Sequence, residues 1–285
     1  MSQLSVNGVS LHVTIRGHGE SLVLLHGFTG SGALWAPQVA LWQRSFRTIA
    51  VDLLGHGRSD APADARRYRM ERCVADLAAL LTHLAVEQAC WLGYSMGARV
   101  ALAFAVAHPQ RVRALVLEGV APGIDDPLER RARIAHDEAL ADRLERDGIE
   151  PFVDSWMQQP LLASQSRLGP DAVAAARAAR CASSPIGLAN SLRGMGTGAQ
   201  PPLWAQLPSL GAPVLLIVGE EDRKFRGIAE AMAARLPHAA IAIVPHAGHA
   251  AHLENAAAFN EHVLGFLRQA PKTPKDARRQ ASTDG

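Results

Sequence analysis

Short apolar runs alternate with helical stretches along this chain. Leu11–Ile15, Leu22–Leu25, Thr48–Val51, Ala89–Leu92, Ala114–Leu117, Val214–Val218 and Ala240–Val244 are nearly continuous apolar segments bounded by turn residues. Such runs, without polar alternation, predict parallel strands buried on both faces. An Asn7-Gly8 turn stands ahead of the first of them. Between them, Leu34–Gln43, Met70–Leu84, Met96–Ala107, Ile228–Arg235 and Asn255–Leu267 carry helical patterning. The alternation predicts the α/β class, a mostly parallel sheet with helices on both faces.

The rhythm lapses once, between Leu117 and Val214, where no run reads as a strand. Glu129–Asp147 reads as a charged amphipathic helix, and Pro151–Gln159 and Asp171–Arg180 as further helices. Ser183 to Pro202 is rich in Gly, Ser and Pro. A segment this long is not a plain loop, so an all-helical cap inserted over the strand ends is expected. The organisation that follows is a core of residues 1–120 and 203–268, a cap of residues 121–202, and a tail of residues 269–285.

Composition supports one well-supplied core: 285 residues, 48% hydrophobic and 20% charged, with so few aromatics (5%) that Ala, Leu and Val must fill it. The net charge of +2 conceals a basic end. Arg268, Lys272, Lys275, Arg278 and Arg279 face only Asp276 and Asp284 there, leaving about −1 for the remainder. The tail's prolines and lack of apolar anchors predict a disordered, solvated end rather than a nucleic-acid or lipid site. Cys73, Cys90 and Cys181 are odd in number and irregular in spacing, which fits neither a disulfide framework nor a zinc site. No apolar stretch reaches the ~18 residues of a membrane span, and the start of the chain lacks a signal-peptide pattern. A cytoplasmic protein without membrane or nucleic-acid partners is expected, as a monomer or small homo-oligomer.

The chemistry concentrates at strand ends. Gly93-Tyr94-Ser95-Met96-Gly97 follows one apolar run and opens a helix, the strand–turn–helix setting in which a serine hydroxyl is held on a tight turn. A serine needs an imidazole as base, and the imidazole needs an orienting acid. Asp222 lies just past Val214–Val218 and His249 just past Ala240–Val244, where open α/β sheets build their sites. Glu220 and Glu221 compete with Asp222, but its position after the strand favours it. His246, His249 and His252 are spaced as H-x-x-H-x-x-H, yet no carboxylates or thiols are placed to complete a metal set. Neither metal nor cofactor is expected. Oxyanion donors are expected from the backbone N–H groups of Met96, after the serine, and Phe28, in His26-Gly27-Phe28. His26 and His56 read as structural. Arg99 is the only charge in an otherwise apolar helix, one turn past Ser95. A buried guanidinium needs a partner, either a substrate carboxylate or a protein acid such as Asp52 or Glu118.

His26-Gly27-Phe28, Asp52 to Ser59, Gly93 to Gly97 and Gly248-His249 together resemble the α/β-hydrolase superfamily over residues 5 to 268. The narrower set Ser95 to Val100, Glu129 to Arg133, Ser155 to Pro160 and Leu253-Glu254-Asn255 resembles the MenH family, the 2-succinyl-6-hydroxy-2,4-cyclohexadiene-1-carboxylate synthases. Ala256 and Ala98 depart from residues common in that family, away from the chemistry. The resemblance implies an elimination that expels pyruvate from a cyclohexene tricarboxylate, an anionic small-molecule substrate. It also implies that Tyr94, Arg99, Arg133 and Trp156 line the pocket. On their residues alone, Arg133 belongs to a charge-rich helix whose residues are mostly a solvated face, and Trp156 reads as plain cap core. The rival readings are a serine hydrolase of esters or C–C bonds working through an acyl-enzyme, and a non-enzymatic small-molecule receptor on the same fold.

Overall fold

The computed structural model describes residues 2–270. The strands are β1 (Ser2–Val6), β2 (Val9–Arg16), β3 (Glu20–Leu25), β4 (Phe46–Val51), β5 (Ala89–Tyr94), β6 (Val112–Glu118), β7 (Val214–Gly219) and β8 (Ala239–Val244). They form one 8-stranded sheet in the order β1-β2-β4-β3-β5-β6-β7-β8. β1 and β2 pair antiparallel, as do β2 and β4, while β3 through β8 run parallel. β1 is not foreshadowed by its sequence, Ser-Gln-Leu-Ser-Val. It is a largely exposed edge strand, joined to β2 by the Asn7-Gly8 turn with φ of 46° and 80°.

Successive residues of the central strands feed two separate cores, which is why those strands read as unbroken apolar runs. Val23, Leu25, Trp91, Leu115, Leu117, Leu216 and Val218 pack on one side. Leu22, Leu24, Cys90, Leu92, Val116, Leu215 and Ile217 pack on the other. The first core takes α2 (Met70–His83) and α3 (Met96–Ala107), and the second takes α1 (Ala36–Trp42) and α10 (Ala256–Gln269). α8 (Arg223–Ala233) starts five residues ahead of the expected Ile228, because the Asp222 carboxylate accepts from Phe225 N–H and caps it. A short α9 (Ala251–Glu254) precedes α10.

Between β6 and β7 the described chain is helical, as expected. α4 (Pro127–Asp147), α5 (Ile149–Met157), α6 (Pro170–Cys181) and α7 (Pro185–Met195) follow one another, with a 3-10 segment over Pro160–Leu168. α7 occupies the Gly/Ser/Pro-rich stretch that showed no helical pattern. Pro185 sits at its start behind the Ser184 cap. A Cβ on Gly187 would collide with the backbone of Gly55, and one on Gly194 with Tyr68, so the glycines mark close approach to the core. The expected basic tail lies, from residue 271 on, outside the described residues.

Candidate active site

Ser95 sits between β5 and α3 with φ 52° and ψ −109°, a conformation that costs an L-residue energy and that packing must enforce. A Cβ on Gly93 would strike the Gly97 carbonyl, and one on Gly97 would strike the Leu25 carbonyl, so the turn is too tight for side chains there. Ser95 N–H donates to the Glu118 carbonyl at 2.8 Å, fixing the turn to the end of β6. His249 Nε2 lies 3.1 Å from Ser95 Oγ, and His249 Nδ1 lies 2.7 Å from Asp222 Oδ2. Residues 154 and 27 positions apart thus form one hydrogen-bonded chain at the ends of β5, β7 and β8. The His249 side chain is 2% exposed and that of Asp222 6%, so both contacts are largely shielded from solvent. The ring of Phe225, at 4.6 Å, packs against His249. Such a chain can raise the basicity of the serine oxygen and store a proton on the imidazole.

The loop after β3 runs beside this serine: a Cβ on Gly27 would meet the Tyr94 ring and lie 3.5 Å from Ser95 Cβ. Phe28 follows. Met96 opens α3, where the first turn has no intrahelical acceptor for its N–H. Both residues line a cavity of about 930 Å³ between the strand ends and the helices of residues 127–195. Its wall also holds Ser95, Arg99, Arg133, Trp156 and Lys224.

Arg99 is buried, and no carboxylate of the described residues pairs with it. Its Nη1 donates to the Met195 carbonyl at 2.7 Å and to Gln200 Oε1 at 2.8 Å, both neutral acceptors. Asp52 instead accepts from the N–H groups of Gly32 and Arg58, and Glu118 engages His252. Burial pushes the Arg99 pKa down to about 10, helped by the charge of Arg133, while Asp137 opposes the shift. The guanidinium remains charged at neutral pH. Arg133 Nε is paired with Asp137 one turn on in α4, at 2.8 Å, and still faces the cavity. Trp156 meets Phe28 edge to face at 5.0 Å.

Tyr94 lies beside the serine, with its ring against the loop at Gly27 and in the field of Arg180 in α6. As the last residue of β5 its side chain falls on the face of Cys90 and Leu92, beneath the site. There it packs against His249 at 5.4 Å and His252 at 4.7 Å, and burial pushes its phenol well above the ordinary value. The spaced histidines separate: His246 is exposed, His249 meets Ser95, and His252 pairs with buried Glu118. His26 Nε2 accepts from Leu53 N–H at 3.0 Å, which ties two loops together. The sequence reading passes over two cations. Lys224 lies on the cavity wall, and its place two residues after Asp222 is the only signal for it. Arg180 in α6 has a buried Nε with no partner, and nothing distinguishes it in sequence from Arg177, which pairs with Asp154 instead.

Residues 20–256 match the family model of the alpha/beta hydrolase fold. Sheet order, serine turn and strand-end partners define that class of protein. A Bacillus subtilis (strain 168) protein described as a candidate 2-succinyl-6-hydroxy-2,4-cyclohexadiene-1-carboxylate synthase is 46% identical over 87% of this chain and 90% of its own. The synthase of that name from Serratia proteamaculans (strain 568) is 33% identical over 86% of this chain and 92% of its own. The structure of MenH from S. aureus superposes with a TM-score of 0.86 at 31% identity, covering 91% of this chain and 98% of that one. The chain belongs to the MenH family of α/β-hydrolase-fold enzymes.

Proposed function

We propose that this enzyme eliminates pyruvate from 2-succinyl-5-enolpyruvyl-6-hydroxy-3-cyclohexene-1-carboxylate, giving 2-succinyl-6-hydroxy-2,4-cyclohexadiene-1-carboxylate in menaquinone biosynthesis. The observation that carries the reading is Arg99, a buried cation on the cavity wall, one helical turn from Ser95 and satisfied only by neutral oxygens. A substrate carboxylate supplies the missing counter-charge, and a guanidinium fits it in two-point geometry. Arg133 and Lys224 add positive charge on the same wall for a substrate with several carboxylates.

The chemistry follows from the two ring systems. The succinyl ketone acidifies the ring hydrogen at position 2, and the enolpyruvyl group leaves from position 5. His249, oriented by Asp222, takes the Ser95 proton, and the serine oxygen removes the hydrogen at position 2. The electron pair moves into the ring, the double bond shifts, and the bond from carbon 5 to oxygen breaks. Pyruvate departs as its enolate and recovers a proton, so no water is consumed. The N–H groups of Phe28 and Met96 receive the charge that develops on the ketone oxygen. The helical layer of residues 121–202 acts as the cap that excludes water. Buried free Cys73 and Cys90, whose thiols burial pushes up to about 12 and about 11, fit a reducing, cytoplasmic setting.

The test is incubation with that substrate and assay of released pyruvate against the absorbance of the diene. Equal amounts of both are expected, with intact-protein mass unchanged throughout turnover. A mass increase on Ser95 during turnover, or no pyruvate, would replace this reading with the acyl-enzyme hydrolase.

A further inference from the structure

A second cavity, of about 530 Å³, adjoins the first and takes no part in the elimination. Pro160, Leu161 and Lys224 line both. Arg99 and Arg133 line only the first, whereas Arg167, Arg223 and Glu221 line only the second, which also reaches Asp222 and His249. The acids of the second cavity are already engaged. Glu221 accepts from Arg167 Nη1 at 2.9 Å, and Asp222 holds His249. Arg223 and Lys224 are exposed at the start of α8, and no carboxylate of the described residues pairs with either. Lys224 Nζ stands over the Phe225 ring, 5.8 Å from its centre. The second cavity therefore carries unpaired positive charge beside the triad, apart from the cations that face the substrate.

The elimination makes two anions in one place. The diene keeps the carboxylates that Arg99 and Arg133 hold, and pyruvate competes with it for the same cations while it stays. Like charges in a partly desolvated cavity repel. A neighbouring cavity with cations to spare gives the smaller anion a more favourable position. Lys224 stands on the shared wall, and its flexible stem lets the ammonium follow a carboxylate from one side to the other.

We propose that the second cavity is an exit subsite for the leaving group, a short α-keto monocarboxylate, in which Arg223 receives the carboxylate of pyruvate and Lys224 passes it across the shared wall. A guanidinium takes a carboxylate in two-point geometry. The exposure of Arg223 keeps the pair weak, as release into solvent requires. The subsite deepens the pyruvate-elimination reading and rests on it.

The test titrates pyruvate against the full chain and follows its methyl protons by saturation-transfer NMR, in wild type, Arg223→Ala, Arg223→Glu, Arg99→Ala and Arg226→Glu. Arg226 lies on the same helix but lines neither cavity, so its reversal controls for net charge. Affinity should weaken about threefold in Arg223→Ala and about tenfold in Arg223→Glu, the loss and then the reversal of an exposed ion pair. Arg99→Ala and Arg226→Glu should stay within about twofold of wild type by the same measure. In turnover, the inhibition constant of added pyruvate should rise in the same order across the Arg223 variants, while KM for the substrate changes less. Pyruvate affinity that is unchanged in both Arg223 variants, or that falls as far in Arg226→Glu as in Arg223→Glu, overturns the proposal. So does affinity that Arg99→Ala abolishes, which would seat pyruvate in the substrate cavity. If Arg99→Ala does not fold, the Arg223 and Arg226 variants decide. A substrate that yields no pyruvate defeats the elimination reading and takes the exit role with it. Normal pyruvate release beside an affinity indifferent to Arg223 sinks the subsite alone.

Discussion

Arg99 and Arg133 share a wall of the cavity but differ in what they cost the protein. Arg133 has its own carboxylate at 2.8 Å, so a substrate gains from it only part of a charge. Arg99 has two neutral acceptors and a pKa lowered to about 10 by burial, so its positive charge is under-compensated until an anion arrives. Replacing Arg99 with Ala should therefore cut kcat/KM for the tricarboxylate about a hundredfold, near the 2.7 kcal/mol of a buried charge-assisted pair. Hydrolysis or labelling by a small neutral ester should change much less, because such a ligand has nothing for the guanidinium to hold. Equal loss on both would mean that Arg99 only supports the fold. Ser95→Ala removes the reacting oxygen without removing packing volume. Pyruvate release should fall by at least about a thousandfold with the unfolding midpoint moved by only a few degrees. Full activity in that variant would remove the serine from the chemistry.

At the level of elements, glycine spacing decides how close neighbours come. α7 rests on the core through Gly187, whose missing Cβ leaves room for the Gly55 backbone. Gly187→Ala should destabilise the protein by about 1–3 kcal/mol, the usual cost of overpacking, while Gly211→Ala, with open space around it, should be near neutral. Urea unfolding of the two variants checks this, and equal stability would mean that α7 shifts away at no cost. The same glycines explain what the sequence left obscure. The central strands were legible because each buries both faces and so carries no polar alternation. The serine and its two partners were legible because each follows a strand that reads clearly. α7 was hidden, since its glycines and proline serve a tertiary contact and mimic a loop locally. β1 was hidden because an exposed edge strand needs no apolar pattern.

Across the whole molecule, the joint between core and cap passes over two buried histidines. The His26 and His56 rings lie 5.0 Å apart, and His56 meets Phe28, which in turn packs on Trp156 and Phe152 of the cap. The His56 loop also touches the cap through Gly57 N–H and Ser183 Oγ. Burial pushes the His56 pKa down from 6.5 to about 3, the His26 charge pushes it the same way, and the hydrogen bond to Leu54 opposes. Burial lowers His26 as well, against its bond to Gly27 and the field of Asp52. Both therefore take up a proton less readily in the folded protein than in the unfolded chain. Stability is complete above pH 6.5 and declines as pH falls below it, because the unfolded state then binds the extra proton. For His56 the loss between pH 7.5 and pH 5 comes to about 2 kcal/mol, at 1.36 kcal/mol per unit. His56→Phe keeps a ring beside Phe28 and removes the titration. Its unfolding free energy in urea should drop about 2 kcal/mol less than that of wild type over the same interval, whatever its stability at pH 7.5. Parallel declines would mean that His56 is solvated enough to take its proton in the folded state, and that acid loosens the protein elsewhere than at this joint.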